Sequence, residues 1–132
     1  MKVLALGGSG GMGRFAVETC MNFDNISEVI VADINADAAI AFANSMNEKV
    51  SGIGLDVTDN DALKAQMEKV GVGINTVGPF YKYGPPILEA AIEKSCHYLD
   101  INDDWEPTLE MLALHEKAEN NSITAILGMG AS

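Results

Sequence analysis

Leu6-Gly7-Gly8-Ser9-Gly10-Gly11-Met12-Gly13-Arg14 is the stretch that decides the fold. It follows a short apolar run at residues 3–6 and opens a segment in which apolar residues recur at helical period. With Gly8, Gly10 and Gly13 as the key positions, the loop can turn tightly, let its backbone approach an anion, and let the helix pack close to the sheet. Gly7, Gly10 and Gly13 form a second register of the same kind, and the sequence leaves the two open. In either, backbone N–H groups at Gly10 to Met12 stand at the positive end of a helix, where a phosphate is stabilised. The bland alternative is a flexible turn between strand and helix. A Walker loop is excluded, because Lys and then Ser or Thr must follow the last glycine, and Arg14-Phe15 stand there instead.

Outward from this loop, short apolar runs alternate with longer segments of helical period, without internal repeat or low-complexity tract. Strands are expected at 3–6, 28–33, 50–55, 72–77, 97–101 and 122–127, and helices at 11–22, 36–46, 59–70, 85–95 and 105–119. Several strands are near-continuously apolar, as a parallel sheet covered on both faces requires. Thr58 or Asp59 can cap the third helix, and Pro85-Pro86 can open the fourth, where a missing N–H costs least. The alternation implies right-handed crossovers and an α/β fold: a doubly wound, parallel, six-stranded sheet of the Rossmann type.

Composition narrows the function classes. The 132 residues carry 8 Lys and Arg against 19 Asp and Glu, a net charge of −11, which argues against nucleic acid as partner. Apolar residues at 48% and charged ones at 20% describe a single globular domain. No apolar run is long enough to span a bilayer or serve as a signal peptide, so no membrane partner is expected. Cys20 and Cys96 are far apart and form no CxxC pair, which fits a reducing, cytoplasmic setting without disulfide or zinc site. The chain stops soon after its last strand, in Gly128-Met129-Gly130-Ala131-Ser132, so a second domain is expected to follow.

The strand ends supply the candidate ligand contacts. Twenty positions past Gly13, the second strand ends in Asp33, whose carboxylate can accept from both hydroxyls of an adenosine ribose, as in NAD sites. Its alternative is to cap the next helix, a task Asn35 can perform instead. At the end of the third strand, Asp56 can accept from an adenine amine and Val57 can pack on the ring, or Asp56 can cap near Thr58 and Asp59. Asn75-Thr76-Val77-Gly78-Pro79 leaves the fourth strand at the topological switch point, where small residues let a nicotinamide ribose lie on backbone. The expected cofactor set is therefore Gly8, Ser9, Gly10, Gly11, Met12, Gly13, Asp33, Asp56, Val57, Thr76, Val77, Gly78 and Pro79. NAD is favoured over NADP, since a 2′-phosphate would meet Asp33, and unit charges about 4 Å apart repel by about 4 kcal/mol at an effective dielectric near 20. No Lys or Arg lies between Arg14 and Lys49, and Arg14 itself is expected to pair with a surface carboxylate rather than take the phosphate.

Other chemistry is thin. A calcium loop at Asp100-x-Asn102-x-Asp104 fails, because Trp105 stands where Gly is needed and Met111 where the bidentate Glu belongs. His97 and His115 have no second ligand nearby and are read as structural or surface residues. The Tyr-x-x-x-Lys pair of short-chain dehydrogenases is absent, since Tyr81, Tyr83 and Tyr98 are followed at that spacing by Pro85, Ile87 and Asn102. No metal site is expected, and no catalytic residue is assigned.

Three segments together resemble the N-terminal NAD(P)-binding domain of the saccharopine dehydrogenase family. They are the glycine loop with Arg14, the Gly78-Pro79-Phe80-Tyr81 segment with Gly84 and Leu88-Glu89-Ala90-Ala91, and His97-Tyr98-Leu99-Asp100. The resemblance implies an oxidoreductase that interconverts an imine and a secondary amine of amino-acid-like substrates by hydride transfer. It implies Asp100, Asn102 and Tyr81 near the nicotinamide end, facing a substrate domain that this fragment lacks, so that the fragment alone is expected to be inactive. The chain has Ile101-Asn102-Asp103-Asp104 where relatives continue with a small hydroxyl residue. A stand-alone NAD-sensing module without catalysis is the alternative, and a homo-oligomer is left open.

Overall fold

A computed structural model describes residues 1–102 and 105–129; Asp103, Asp104, Gly130, Ala131 and Ser132, named above, lie outside the described residues. Strands β1 (Lys2–Leu6), β2 (Glu28–Asp33), β3 (Val50–Gly54), β4 (Val72–Asn75), β5 (His97–Asp100) and β6 (Ala125–Ile126) form one sheet in the order β3-β2-β1-β4-β5-β6. Every pairing is parallel, with Leu6 beside Ala32 on one side and Asn75 on the other. The order reverses between β1 and β4, which opens a crevice at the carboxyl edge there.

Side chains alternate across this sheet and so build two cores. Val3, Ala5, Val29 and Val31 pack against α1 (Gly11–Cys20) and α2 (Ala36–Asn44) through Val17, Ala39 and Phe42. Leu4, Leu6, Ile30 and Ala32 face the other way, toward α3 (Asn60–Met67), α4 (Phe80–Glu93) and α5 (Trp105–Leu112), through Leu63, Ile87 and Met111. Strands buried on both faces explain the apolar runs of the sequence. Cys20 and Cys96 are free and buried, and burial pushes the Cys96 thiol up to about 11.

Most expected ends shift by one to three residues, and three elements change more. The fourth helix begins at Phe80, capped by Pro79, so Pro85 and Pro86 lie inside it rather than at its start. Lys82 and Tyr83 N–H groups already bond the Pro79 carbonyl, and the two prolines leave only the carbonyls of Tyr81 and Lys82 without a helical donor, on exposed residues. The last helix divides: the Leu114 N–H bonds Met111 O in a tightened turn, and α6 (His115–Asn120) follows. The sixth strand is short because its lead-in is used otherwise. The Ile123 N–H closes on Ala118 O, and the Thr124 N–H donates to His97 Nδ1 at 2.9 Å. His97 is thus structural, and His115 sits on the surface beside Glu119.

Candidate functional site

The glycine loop is held by its own backbone. The Gly7 N–H bonds Ala32 O at 2.8 Å, which ties the loop to β2, and the Gly10 N–H bonds Gly7 O at 3.0 Å. Gly7 carries φ +74°, a conformation that costs an L-residue, and the tight turn therefore falls on Gly7 rather than Gly8. Gly8 instead packs against Ala5 and Val31. A Cβ on Gly13 would stand 2.1 Å from Gly7 O, so the helix comes as close to the loop as a glycine allows. This geometry is the Gly7-x-x-Gly10-x-x-Gly13 register.

The loop leaves a cradle on its open side. A Cβ on Gly10 would meet only Gly7 O, at 3.4 Å, and one on Gly11 would meet nothing within 4 Å. Helix α1 has no side-chain cap, and among the described residues the N–H groups of Gly11 and Met12 make no backbone bond. The Gly10 N–H, expected to face an anion, is spent on Gly7, so the donors offered are those of Gly11 and Met12. Uncapped donors around open space fit a pyrophosphate.

A cleft of about 340 Å³ begins at this cradle and runs along the strand ends. Of the expected residues, Gly10, Asp33, Asp56, Val57, Thr76, Val77 and Gly78 line it. Ser9 and Gly13 are packed within the loop, Gly11 and Met12 are exposed at the helix start, and Pro79 caps α4. Gly7, Ala32, Ile34, Leu55 and Tyr83 also line the cleft and were not in the cofactor set expected from the sequence. Gly7 carried a signal through the second glycine register, and Ile34 as an apolar residue directly after the strand-ending carboxylate. A larger hollow of about 630 Å³ lies between α4, α5, α6 and β6, lined mainly by apolar side chains such as Leu88, Met111 and Ile123. It lies away from the glycine loop and the strand-end carboxylates Asp33 and Asp56, so the smaller cleft at the switch point is the candidate site.

Asp33 is not a helix cap. Asn35 caps α2 by accepting from the Ala38 N–H at 3.0 Å, while Asp33 Oδ2 accepts from the Ser9 hydroxyl at 2.5 Å and Oδ1 from the Asn35 N–H at 3.2 Å. Each oxygen accepts one bond and keeps acceptor capacity, and Asp33 lines the cleft, which fits a ribose diol. Asp56 Oδ1 accepts from both the N–H and the hydroxyl of Thr58, and that hydroxyl holds the carboxyl below its ordinary range. Asp59 caps α3 through the Ala62 N–H. Thr76 Oγ1 reaches the carbonyls of Leu6 and Gly7 at 2.8 and 3.2 Å, stitching β4 to the loop. Arg14 makes no ion pair with a carboxylate among the described residues, contrary to expectation. Its Nε donates to Ser9 O at 2.6 Å and its guanidinium lies 4.9 Å from the centre of the buried Phe42 ring.

The chain matches the family described as "Saccharopine dehydrogenase NADP binding domain" over residues 3–126. It belongs to that family. A probable mitochondrial saccharopine dehydrogenase-like oxidoreductase of Arabidopsis thaliana is 26% identical over 97% of this chain and 31% of its own length. The saccharopine dehydrogenase-like oxidoreductase of Homo sapiens is 32% identical over 65% of this chain and 20% of its own. The apo structure of saccharopine dehydrogenase (L-Glu forming) from Saccharomyces cerevisiae superposes with a TM-score of 0.83 at 26% identity, over 98% of this chain and 27% of that one. The chain therefore spans under a third of the length of these relatives.

In this saccharopine dehydrogenase-type domain, the carboxyl ends of β4 and β5 are closed by side chains that bond one another. Asn75 Nδ2 donates to the Tyr98 hydroxyl at 3.0 Å, which donates to Asp100 Oδ2 at 2.8 Å. Asp100 Oδ1 accepts from the N–H groups of Asn102 and Gly128, and Asn75 Oδ1 accepts from that of Val77. Asn75, Tyr98, Asp100 and Asn102 are all buried, and burial pushes the Tyr98 hydroxyl well above its ordinary range. Asp100 and Asn102 thus brace the site from beneath, whereas Tyr81 is exposed on the first turn of α4. The family description names NADP, so a dinucleotide site stands on the family, and the choice between NAD and NADP rests on this chain's own residues.

Proposed function

We propose that this domain binds a nicotinamide dinucleotide in the 340 Å³ cleft, as part of an oxidoreductase that interconverts an imine and a secondary amine of amino-acid-like substrates. The observation that carries it is the open, uncapped glycine cradle running into a cleft that ends at Asp33. Gly11 and Met12 N–H groups would hold the pyrophosphate, Asp33 the adenosine ribose, Ile34, Val57 and Asp56 the adenine end, and the Thr76-Val77-Gly78 backbone the nicotinamide end. When bound, the cofactor supplies the hydride; this chain orients it. The amino-acid-like substrate would be met by a part of the protein outside this chain, as the sequence resemblance implies. A reducing compartment such as the cytoplasm is proposed with it, supported by two buried, free thiols.

We also propose that NADH is preferred over NADPH, supported by the Asp33 carboxylate at the ribose end and the repulsion a 2′-phosphate would meet there. Calorimetric titration of the intact chain with each cofactor tests both statements. NADH binding with NADPH at least about tenfold weaker is expected, a difference of about 1.4 kcal/mol. Equal or tighter NADPH binding overturns the preference, and failure to bind either overturns the site.

A further inference from the structure

Beyond Ile126 the strand ladder ends and one buried residue takes over its work. Strand β6 pairs with β5 only at Ala125 and Ile126. After it, the Gly128 N–H donates to Asp100 Oδ1 at 2.8 Å and the Met129 N–H to the Asp100 carbonyl at 2.8 Å. The same Oδ1 accepts from the Asn102 N–H at 3.1 Å, so a single oxygen holds together the segments that leave β5 and β6. Gly128 carries φ +72°, and a Cβ there would stand 2.9 Å from Asn102 O; glycine lets the two segments meet at the carboxylate. The second oxygen has a separate task. Asp100 Oδ2 takes the one proton of the Tyr98 hydroxyl, which leaves that hydroxyl to accept from Asn75 Nδ2, and Asn75 Oδ1 is thereby turned to the Val77 N–H. Asp100 accepts at both oxygens, so the direction of every bond in this line is set from Asp100 outward.

We infer that Asp100 is a positioning residue for the proposed reaction: Oδ1 sets the two segments that meet the substrate beside the nicotinamide, and Oδ2 sets the β4 backbone on which the nicotinamide lies. The inference rests on the proposed cofactor cleft and deepens it, since it assigns the substrate side of that cleft to residues 101–102 and 128–129. Asp100 is 1% exposed and meets neither ligand itself; it acts through backbone, and Val77 lines the cleft. The two oxygens can be separated by substitution. Asparagine at position 100 keeps a carbonyl oxygen for the Asn102 and Gly128 N–H groups but puts an amide nitrogen where Oδ2 stood. That nitrogen and the Tyr98 proton are both donors, so the proton must turn to Asn75 Oδ1, and the Val77 N–H loses its acceptor.

Amide exchange of the intact chain, read residue by residue by NMR, tests the two tasks, with each variant checked for folding by its thermal transition. Asp100→Asn is expected to leave exchange at Gly128 and Asn102 within about threefold and to speed it at Val77 by at least about tenfold. Asp100→Ala should speed all three by at least about tenfold, beyond any change shared by Leu4 and Val29 at the centre of the sheet. Tyr98→Phe leaves Oδ1 untouched and should spare Gly128 and Asn102, so the tasks stay separable if Asp100→Ala does not fold. Titration with NADH should shift the Val77 and Asn102 amide resonances further than ADP-ribose does, because only NADH carries the nicotinamide. Exchange that rises uniformly along the chain in the Asp100 variants, or equal shifts with the two ligands, overturns the positioning role and leaves the cleft intact. Failure of both ligands to bind the unmodified chain overturns the cleft and the inference together.

Discussion

The two halves of the sheet end in polar side chains at the same edge and use them in opposite ways. On the β1–β3 side, Asp33 and Asp56 are each held by local partners on the loop while keeping oxygens toward the cleft, and their neighbours Ile34 and Val57 line it. On the β4–β6 side, Asn75, Tyr98, Asp100 and Asn102 turn inward and satisfy one another, leaving backbone at Thr76, Val77 and Gly78 to face the cleft. On the function proposed above, one half recognises the cofactor and the other is a rigid floor. A buried polar network that is fully paired gives a unique geometry at little net cost, whereas half-paired carboxylates at a cleft are the ones free to bind. The same strand-end position therefore serves recognition or rigidity according to whether its side chain finds a partner in the next strand.

The glycine loop joins the halves, and substitutions along it should break the comparison most severely. Gly13→Ala puts a carbon 2.1 Å from Gly7 O and 2.7 Å from Gly8 Cα, both backbone, and is expected to cost about 3 kcal/mol or more. Gly7→Ala must hold φ near +74°, a strain of about 1–2 kcal/mol, with Thr76 Oγ1 at 2.9 Å from the new carbon. Gly10→Ala meets only Gly7 O at 3.4 Å and should leave stability nearly unchanged while weakening NADH binding. Urea unfolding read beside titration separates these effects. If Gly10→Ala unfolds the chain as readily as Gly13→Ala, the loop is structural throughout and the cradle has no special role.

Tyr98→Phe tests the rigid half. It strips the acceptor from Asn75 Nδ2 and a donor from Asp100 Oδ2, both buried, and is expected to cost about 1–3 kcal/mol. Because Tyr98 lies under the cleft and does not line it, NADH affinity of the folded variant should stay within about threefold. A loss of tenfold or more with the fold intact would mean that the floor takes part in recognition through Asn75 and the Val77 N–H.

The sequence carried the fold well because its signals were local. Residues 28–33 read as a doubly buried strand from their apolar run, and the glycines marked where β1 turns into α1. The register was not legible, since Gly10 and Gly13 belong to both patterns and only the sign of φ at Gly7 separates them. Arg14 was misplaced for a different reason: its partner is the Phe42 ring, 28 positions away on another helix, and a charge suggests a carboxylate before a ring. Pro85-Pro86 suggested a helix start because a missing N–H is cheapest there, but Pro79 had already provided one. The network escaped because Tyr98 looks like core and Asp100 like a free acid; nothing in one strand's sequence says that they close on Asn75 in the next.

The smallest expected stability effect sharpens the recognising half. Ile34 is 77% exposed, so Ile34→Ser removes almost no buried surface and should shift the unfolding free energy by no more than about 0.5 kcal/mol. An isoleucine so exposed contributes little to the fold, yet it follows Asp33 directly and lines the cleft at the adenine end. If a base covers part of that side chain, the apolar area withdrawn from water is worth about 1 kcal/mol, or about fivefold in affinity. NADH titration of Ile34→Ser should therefore show a loss of that size with an unchanged thermal transition. Because serine keeps the backbone and adds no charge, the ribose contact at Asp33 is left in place, and the loss should be shared equally by NADH and NADPH. An affinity equal to that of the unmodified chain would remove Ile34 from the site; a loss confined to one cofactor would move its contact from the adenine to the ribose.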